Sequence, residues 1–180
     1  TVYLNPGNSH TSRQASAQLQ YGMLTGDTSY YTSSVRQLIW ATYMVNDDGR
    51  NRYPNDENWL TDGYGDYVRH YLLSMSAAPE LAPDDNHIIS STSVVQQPIY
   101  KAAFYKYHYL PFKDTGNVIL YYRVFDSSGE EMVRLPKKPS GVLFNNSNPG
   151  AGEIYEWKPL SKGGVLIIKR KESREITILQ

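Results

Sequence analysis

Between residues 80 and 87 the chain changes its hydrophobic period, and nothing else in the sequence limits the fold as much. Upstream, apolar residues recur every three to four positions, the spacing of one helix face; downstream they alternate, the spacing of a strand. The run between them, Glu80-Leu81-Ala82-Pro83-Asp84-Asp85-Asn86, is polar and broken by prolines, as a domain boundary is. Helices first and strands second give two segregated layers, an α+β chain with a helical region over 1–86 and an antiparallel β-sandwich over 87–180.

In the helical region, Asn5-Pro6-Gly7-Asn8 is a turn signal, and Thr11 or Ser12 can cap a helix reaching about Leu24, with Ala15, Leu19 and Met23 on its apolar side. Gly26 suits the left-handed conformation that ends a helix, and Asp27 or Thr28 can cap the next. That second helix is predicted over 29–45, its broad apolar face made by Tyr31, Val35, Leu38, Ile39, Thr42 and Tyr43 and widened by Trp40 and Met44. Joined by so short a turn, the two form an αα-hairpin. A long polar loop over 46–56 follows, its length and composition suggesting a functional or subunit-facing loop. A third helix starts at Thr61 or Asp62, carries Tyr64, Val68, Tyr71, Leu72 and Met75 on its apolar stripe, and stops at Pro79. The second helix is apolar around most of its circumference and needs more neighbours than two helices supply. They must come from helices outside this chain or from a partner subunit.

Downstream, strands are predicted at 91–96, 100–109, 118–125, 131–135, 141–144, 154–157, 165–170 and 175–179. Asp126-Ser127-Ser128-Gly129-Glu130 and Lys171-Glu172-Ser173-Arg174 read as hairpin turns, and 145–152 as a long turn-rich tip. Short strands at near-regular spacing indicate a sandwich.

Composition removes several function classes. Lys plus Arg and Asp plus Glu both number 18, so no global field draws nucleic acid or an anionic membrane, and nucleic-acid binding is not expected. There is no cysteine, hence no thiolate metal site and no cysteine nucleophile. No apolar run is long enough for a membrane span, and no targeting signal is present in this chain. His10, His70, His87 and His108 lack zinc-site spacing, and Asp84-Asp85-Asn86 lacks the glycine and spacing of an EF-hand loop. No nucleophile elbow or phosphate-binding loop occurs. No cofactor and no metal are expected.

The densest chemistry lies in WLTDGYGDYVRHYL, residues 59–72. Asp62 and Asp66 are four apart and share a helix face, with Arg69 and His70 three and four residues further on. One reading is a paired-carboxylate site with Trp59, Tyr64 and Tyr67 beside it as an aromatic platform. The other is a capped helix start, with Asp62 as the cap and Asp66 paired to Arg69 or His70.

TGDTSYYTSSVRQLIWATYM (25–44) resembles the helix-hairpin unit of (α/α)6 toroids. The run from Trp59 through SSTSVVQ (90–96) is similar to the toroid end of bacterial, Bacteroidetes-type proteins of the six-hairpin glycosidase superfamily, in which a small β-sandwich follows the toroid. DGYGDYVRHYL (62–72) is the most specific part of the match. The resemblance implies that the chain is the C-terminal part of such a protein, whose parent lies in the periplasm or outside the cell and has carbohydrate as its partner. It implies glycosidic-bond cleavage, with Asp62 or Asp66 as acid or base and Trp59, Tyr64, Tyr67, Arg69 and His70 at the substrate. A complete toroid needs about twelve helices and only three are legible, so no catalysis is expected from this chain alone. The alternatives are a purely structural piece or a carbohydrate-binding accessory module. The 16 tyrosines, among them Tyr100, Tyr105, Tyr107, Tyr109, Tyr121 and Tyr122, would give that module its contact face.

Overall fold

The computed structural model describes residues 8–42, 64–96, 98–100 and 117–180; for Asn8, Ser9, residues 64–67 and Tyr100 it gives the backbone alone. Two compact units result, Thr1–Leu81 and Ala82–Gln180. The described elements form an α+β chain: three α-helices, then strands in two antiparallel sheets.

The helices are α1 (Asn8–Thr25), α2 (Tyr31–Thr42) and α3 (Tyr64–Ala77), the last followed by a single 3₁₀ turn at Pro79–Leu81. α1 ends as its sequence dictates. Gly26 adopts φ 78° and donates its amide to the Gly22 carbonyl at 2.8 Å, a conformation in which a Cβ would be strained. Asp27 then accepts the Ser29 amide at 2.9 Å, and α2 begins two residues later. The Ser29 side chain and amide hold the Asp27 carboxyl below the usual carboxylate range.

Contacts along α1 fix the helix directions. Gln18 of α1 accepts from Ser34 at 2.8 Å, and Thr11 lies beside Trp40 across one groove, so α2 runs antiparallel to α1. Arg13 meets His70, and Leu19 packs with Ala78, so α3 runs parallel to α1. One end of this unit therefore carries the starts of α1 and α3 and the end of α2.

The buried seam is built from small residues. Ser12, Ala15, Ser16 and Leu19 of α1 are buried, as are Ser34, Leu38 and Ala41 of α2 and Ser74 of α3. The expected apolar faces are shifted accordingly. Ile39, Leu72 and Met23 are exposed, and Ser34–Leu38–Ala41 is the buried row of α2. Small side chains let helix backbones approach, and their hydroxyls stay satisfied within the seam: Ser34 donates to Gln18 and Ser74 to the His70 carbonyl at 2.7 Å. Tyr71 also reaches from α3 to the Leu38 carbonyl of α2, at 2.8 Å.

The sandwich comprises β1 (His87–Ser91), β2 (Ile99–Tyr100), β3 (Val118–Arg123), β4 (Gly129–Leu135), β5 (Gly141–Phe144), β6 (Ile154–Pro159), β7 (Gly164–Arg170) and β8 (Glu175–Leu179). One sheet has the order β1-β4-β7-β6 and the other β2-β3-β8-β5. Alternate residues of each face inward. Val133, Leu135, Leu166 and Ile168 of the first sheet meet Leu120, Tyr122, Ile176 and Ile178 of the second in one dry cluster. A register shift between Val118 and Leu120 turns Val118 outward to join Tyr121.

Three strand-level expectations are corrected. The first strand lies at His87–Ser91 and not at 91–96. Ser91 Oγ donates to the Ser93 carbonyl at 2.9 Å and accepts the Ser93 amide at 3.1 Å, a local turn that competes with the ladder. Beyond it only Val95 bridges, to Val124. The turns at 126–130 and 171–174 are not hairpins. β3 and β4 lie in different sheets, as do β7 and β8, so both turns carry the chain across the sandwich. Among the described strands only β2–β3 and β6–β7 are chain neighbours within one sheet. The rest of the predicted 100–109 strand lies outside the described residues.

Both crossings are held by Arg170. Its Nε and Nη2 donate to the two carboxylate oxygens of Glu131 at 2.7 Å each, while Nη1 donates to the carbonyls of Asp126 and Ser173. One guanidinium thus closes both corners, and neither charged side chain retains any solvent exposure. Beside them Tyr122 is fully buried, and burial first, then the Glu131 charge, raises its phenol well above the usual tyrosine range.

Candidate functional site

The helical unit positions the motif residues that the sequence singles out. Asp66 occupies the first turn of α3, four residues before His70. Trp59 and Asp62 lie outside the described residues, and so do the side chains of Tyr64, Asp66 and Tyr67.

Arg69 and His70 are described, and they diverge. Adjacent helical residues point about 100° apart, and here Arg69 is exposed while His70 retains 5% exposure in the seam against α1. Arg13 Nε lies 3.4 Å from His70 Nε2. A guanidinium only donates, so Nε2 is the acceptor and the imidazole proton sits on Nδ1. Arg13 was not among the residues selected from sequence. It lies 57 positions from His70, and no local spacing announces the pair.

Concavities lie along α1. At the far end, a cavity of about 170 Å³ is lined by Gln18, Gly22, Asp27, Tyr31 and Glu80 among others. Burial and then the hydrogen bond with Glu80 push the Tyr31 phenol up to about 12, so its two polar groups satisfy each other. At the end shared with the start of α3, a shallow groove of about 320 Å³ is lined by Thr11, Arg36, Gln37 and Trp40. The sequence assigned Trp40 to packing alone; its spacing of four from Arg36 was the available signal.

In the sandwich, Tyr121 and Tyr122 are buried at 5% and 0% exposure, so neither ring offers a contact face. The side chains of Tyr100, Tyr105, Tyr107 and Tyr109 lie outside the description. Among the described residues no group of three His, Asp or Glu side chains converges so as to hold a metal ion. No helix among them is long and apolar enough to cross a membrane.

The chain matches no protein-family model, and no curated protein or solved structure is significantly similar to it.

Proposed function

We propose that the chain is the C-terminal part of a six-hairpin-glycosidase-like protein, the last helices of an α/α toroid and the sandwich that follows, and that the whole protein acts on carbohydrate. The observation that carries this reading is the helical succession: α2 antiparallel to α1, α3 parallel to α1, then an antiparallel sandwich. The apolar residues left outward, Met23, Leu24, Ile39 and Leu72, support it, because further toroid helices or a partner subunit would cover them.

In this reading the start of α3 forms one wall of a cleft. Asp62 and Asp66 are its acid and base candidates, one carboxyl kept protonated and the other ionised. Trp59, Tyr64 and Tyr67 hold sugar. His70, locked by Arg13 in its Nδ1–H form, orients the α3 start, and Arg69 faces solvent at the cleft. The opposite wall belongs to the rest of the parent protein, so this chain alone is not catalytic. A periplasmic or extracellular parent goes with this reading.

The test is the full-length parent carrying Asp62→Asn or Asp66→Asn, assayed for product release on a glycan panel. Loss of a general acid or base costs about 10²- to 10⁴-fold in rate. Unchanged turnover in both variants removes the assignment.

A further inference from the structure

We propose that β6 pairs with β6 of a second copy of this chain, joining two four-stranded sheets into one across a two-fold axis at Trp157. β6 ends the order β1-β4-β7-β6, and among the described residues its only strand partner is β7. Pro159 fixes which backbone groups the open edge carries. It stands opposite Gly164, and without an N–H it cannot exchange the two hydrogen bonds of a narrow pair. The Leu160 amide instead donates to the Gly163 carbonyl at 3.0 Å, as a wide pair at Pro159 requires. The β6–β7 register runs without a shift, so Tyr155 and Trp157 form wide pairs too. Their amides and carbonyls therefore point away from β7, together with the Pro159 carbonyl.

This edge is self-complementary in one antiparallel register. With Trp157 on the axis, the two copies of Trp157 exchange both backbone bonds. Tyr155 donates to the Pro159 carbonyl of the copy, a position that uses only what a proline has. Glu156 then stands directly across from Lys158 of the copy, twice, in the wide pairs whose side chains lie closest. Both side chains are exposed, and neither makes an ion pair among the described residues. One step further, Ile154, 56% exposed in the single chain, meets Leu160 of the copy. Moving the axis by one residue either way sets Glu156 against itself or Lys158 against itself, so charge selects the register. Lysine and proline commonly guard an open edge. Here the proline sits where only its carbonyl is needed, and the lysine finds a glutamate at the matching place on an identical strand.

The intact chain is followed by sedimentation equilibrium from about 10 µM to about 1 mM, where a monomer–dimer equilibrium is expected. Glu156→Lys and Lys158→Glu each set two like-charged pairs across the axis, and each should weaken dimerisation at least about fivefold. The double variant Glu156→Lys/Lys158→Glu reverses both pairs and should restore the wild-type affinity. An equimolar mixture of the two single variants should give the heterodimer in preference to either homodimer. A protein that stays monomeric throughout overturns the proposal. So does a dimer indifferent to the single swaps, as one made through the exposed helical residues would be. A loss that either the double variant or the mixture fails to restore overturns it as well.

Discussion

Removing the charge of Arg170 should destabilise the sandwich more than any other single change to a polar residue in it. Arg170 and Glu131 are both fully withdrawn from water and bonded through two 2.7 Å contacts. In Arg170→Met the Glu131 carboxylate stays buried without its charged partner, and Ser91 Oγ, 3.3 Å away, already donates to the Ser93 carbonyl at 2.9 Å. The carbonyls of Asp126 and Ser173 lose their shared donor at the same time. Breaking a buried pair from one side costs about 3–5 kcal/mol, and the two freed carbonyls place Arg170→Met at the upper end. Glu131→Gln keeps the shape and leaves the guanidinium on its two carbonyls, so its cost should sit at the lower end. The double variant Glu131→Met/Arg170→Met removes both charges, and should recover at least about 1 kcal/mol relative to Arg170→Met. Urea-dependent hydrogen exchange at β4 and β7 amides measures these differences without treating the two units as one transition. The Val124 amide, bonded to the Arg174 carbonyl across the crossing, should lose protection first. If Arg170→Met lies within about 1 kcal/mol of wild type, or the double variant costs the sum of both singles, the corner-lock reasoning is wrong.

Two further predictions concern other parts of the molecule. Difference absorbance between wild type and Tyr31→Phe isolates one tyrosine, whose midpoint should lie near 12 and fall toward 10 in a Glu80→Gln background. Because the folded value is the raised one, the contribution of this pair to stability is complete below pH about 10 and fades as pH climbs toward 12. Gly163 holds φ 61° in the β6–β7 turn, and a Cβ there would collide with the Leu135 carbonyl oxygen. Gly163→Ala should therefore cost about 1–3 kcal/mol or more, read as a lower urea midpoint for exchange in β6 and β7. An unchanged midpoint would mean that the turn relaxes freely.

Sequence period revealed the kinds of element but not the partners of each. The switch from 3.6 to 2 placed helices and strands in the right order, and most strand positions followed, because alternation in β7 or β8 is local information. Strand pairing is not. Asp126-Ser127-Ser128-Gly129 has the residues of a hairpin turn, yet it carries the chain between sheets, because what decides its path is a guanidinium some forty positions later. Helix faces misled for a related reason. Counting apolar residues favoured Ile39 and Leu72, whereas close backbone approach selected Ser34, Ala41 and Ser74 for the seam. A serine that returns its proton to the preceding turn packs like a small apolar residue.

The same distinction applies to the polar groups of the helical unit. The motif at 59–72 was legible because its carboxylates, aromatics and bases are crowded in sequence, and crowding is what a reader of sequence can see. Contacts between helices could not be seen that way. Arg36 and Trp40 share a helix face by spacing, but Thr11 lies beside them only once α1 and α2 pack antiparallel. Arg13 and His70 come together by the same route, through α1 and α3 running parallel. Helix direction, set by the short turn at Gly26 and by the small-residue seam, thus gathers polar groups from three segments at one end of the unit. In the parent protein proposed above, Asp66→Asn at the start of α3 should lower turnover and leave substrate affinity close to that of wild type.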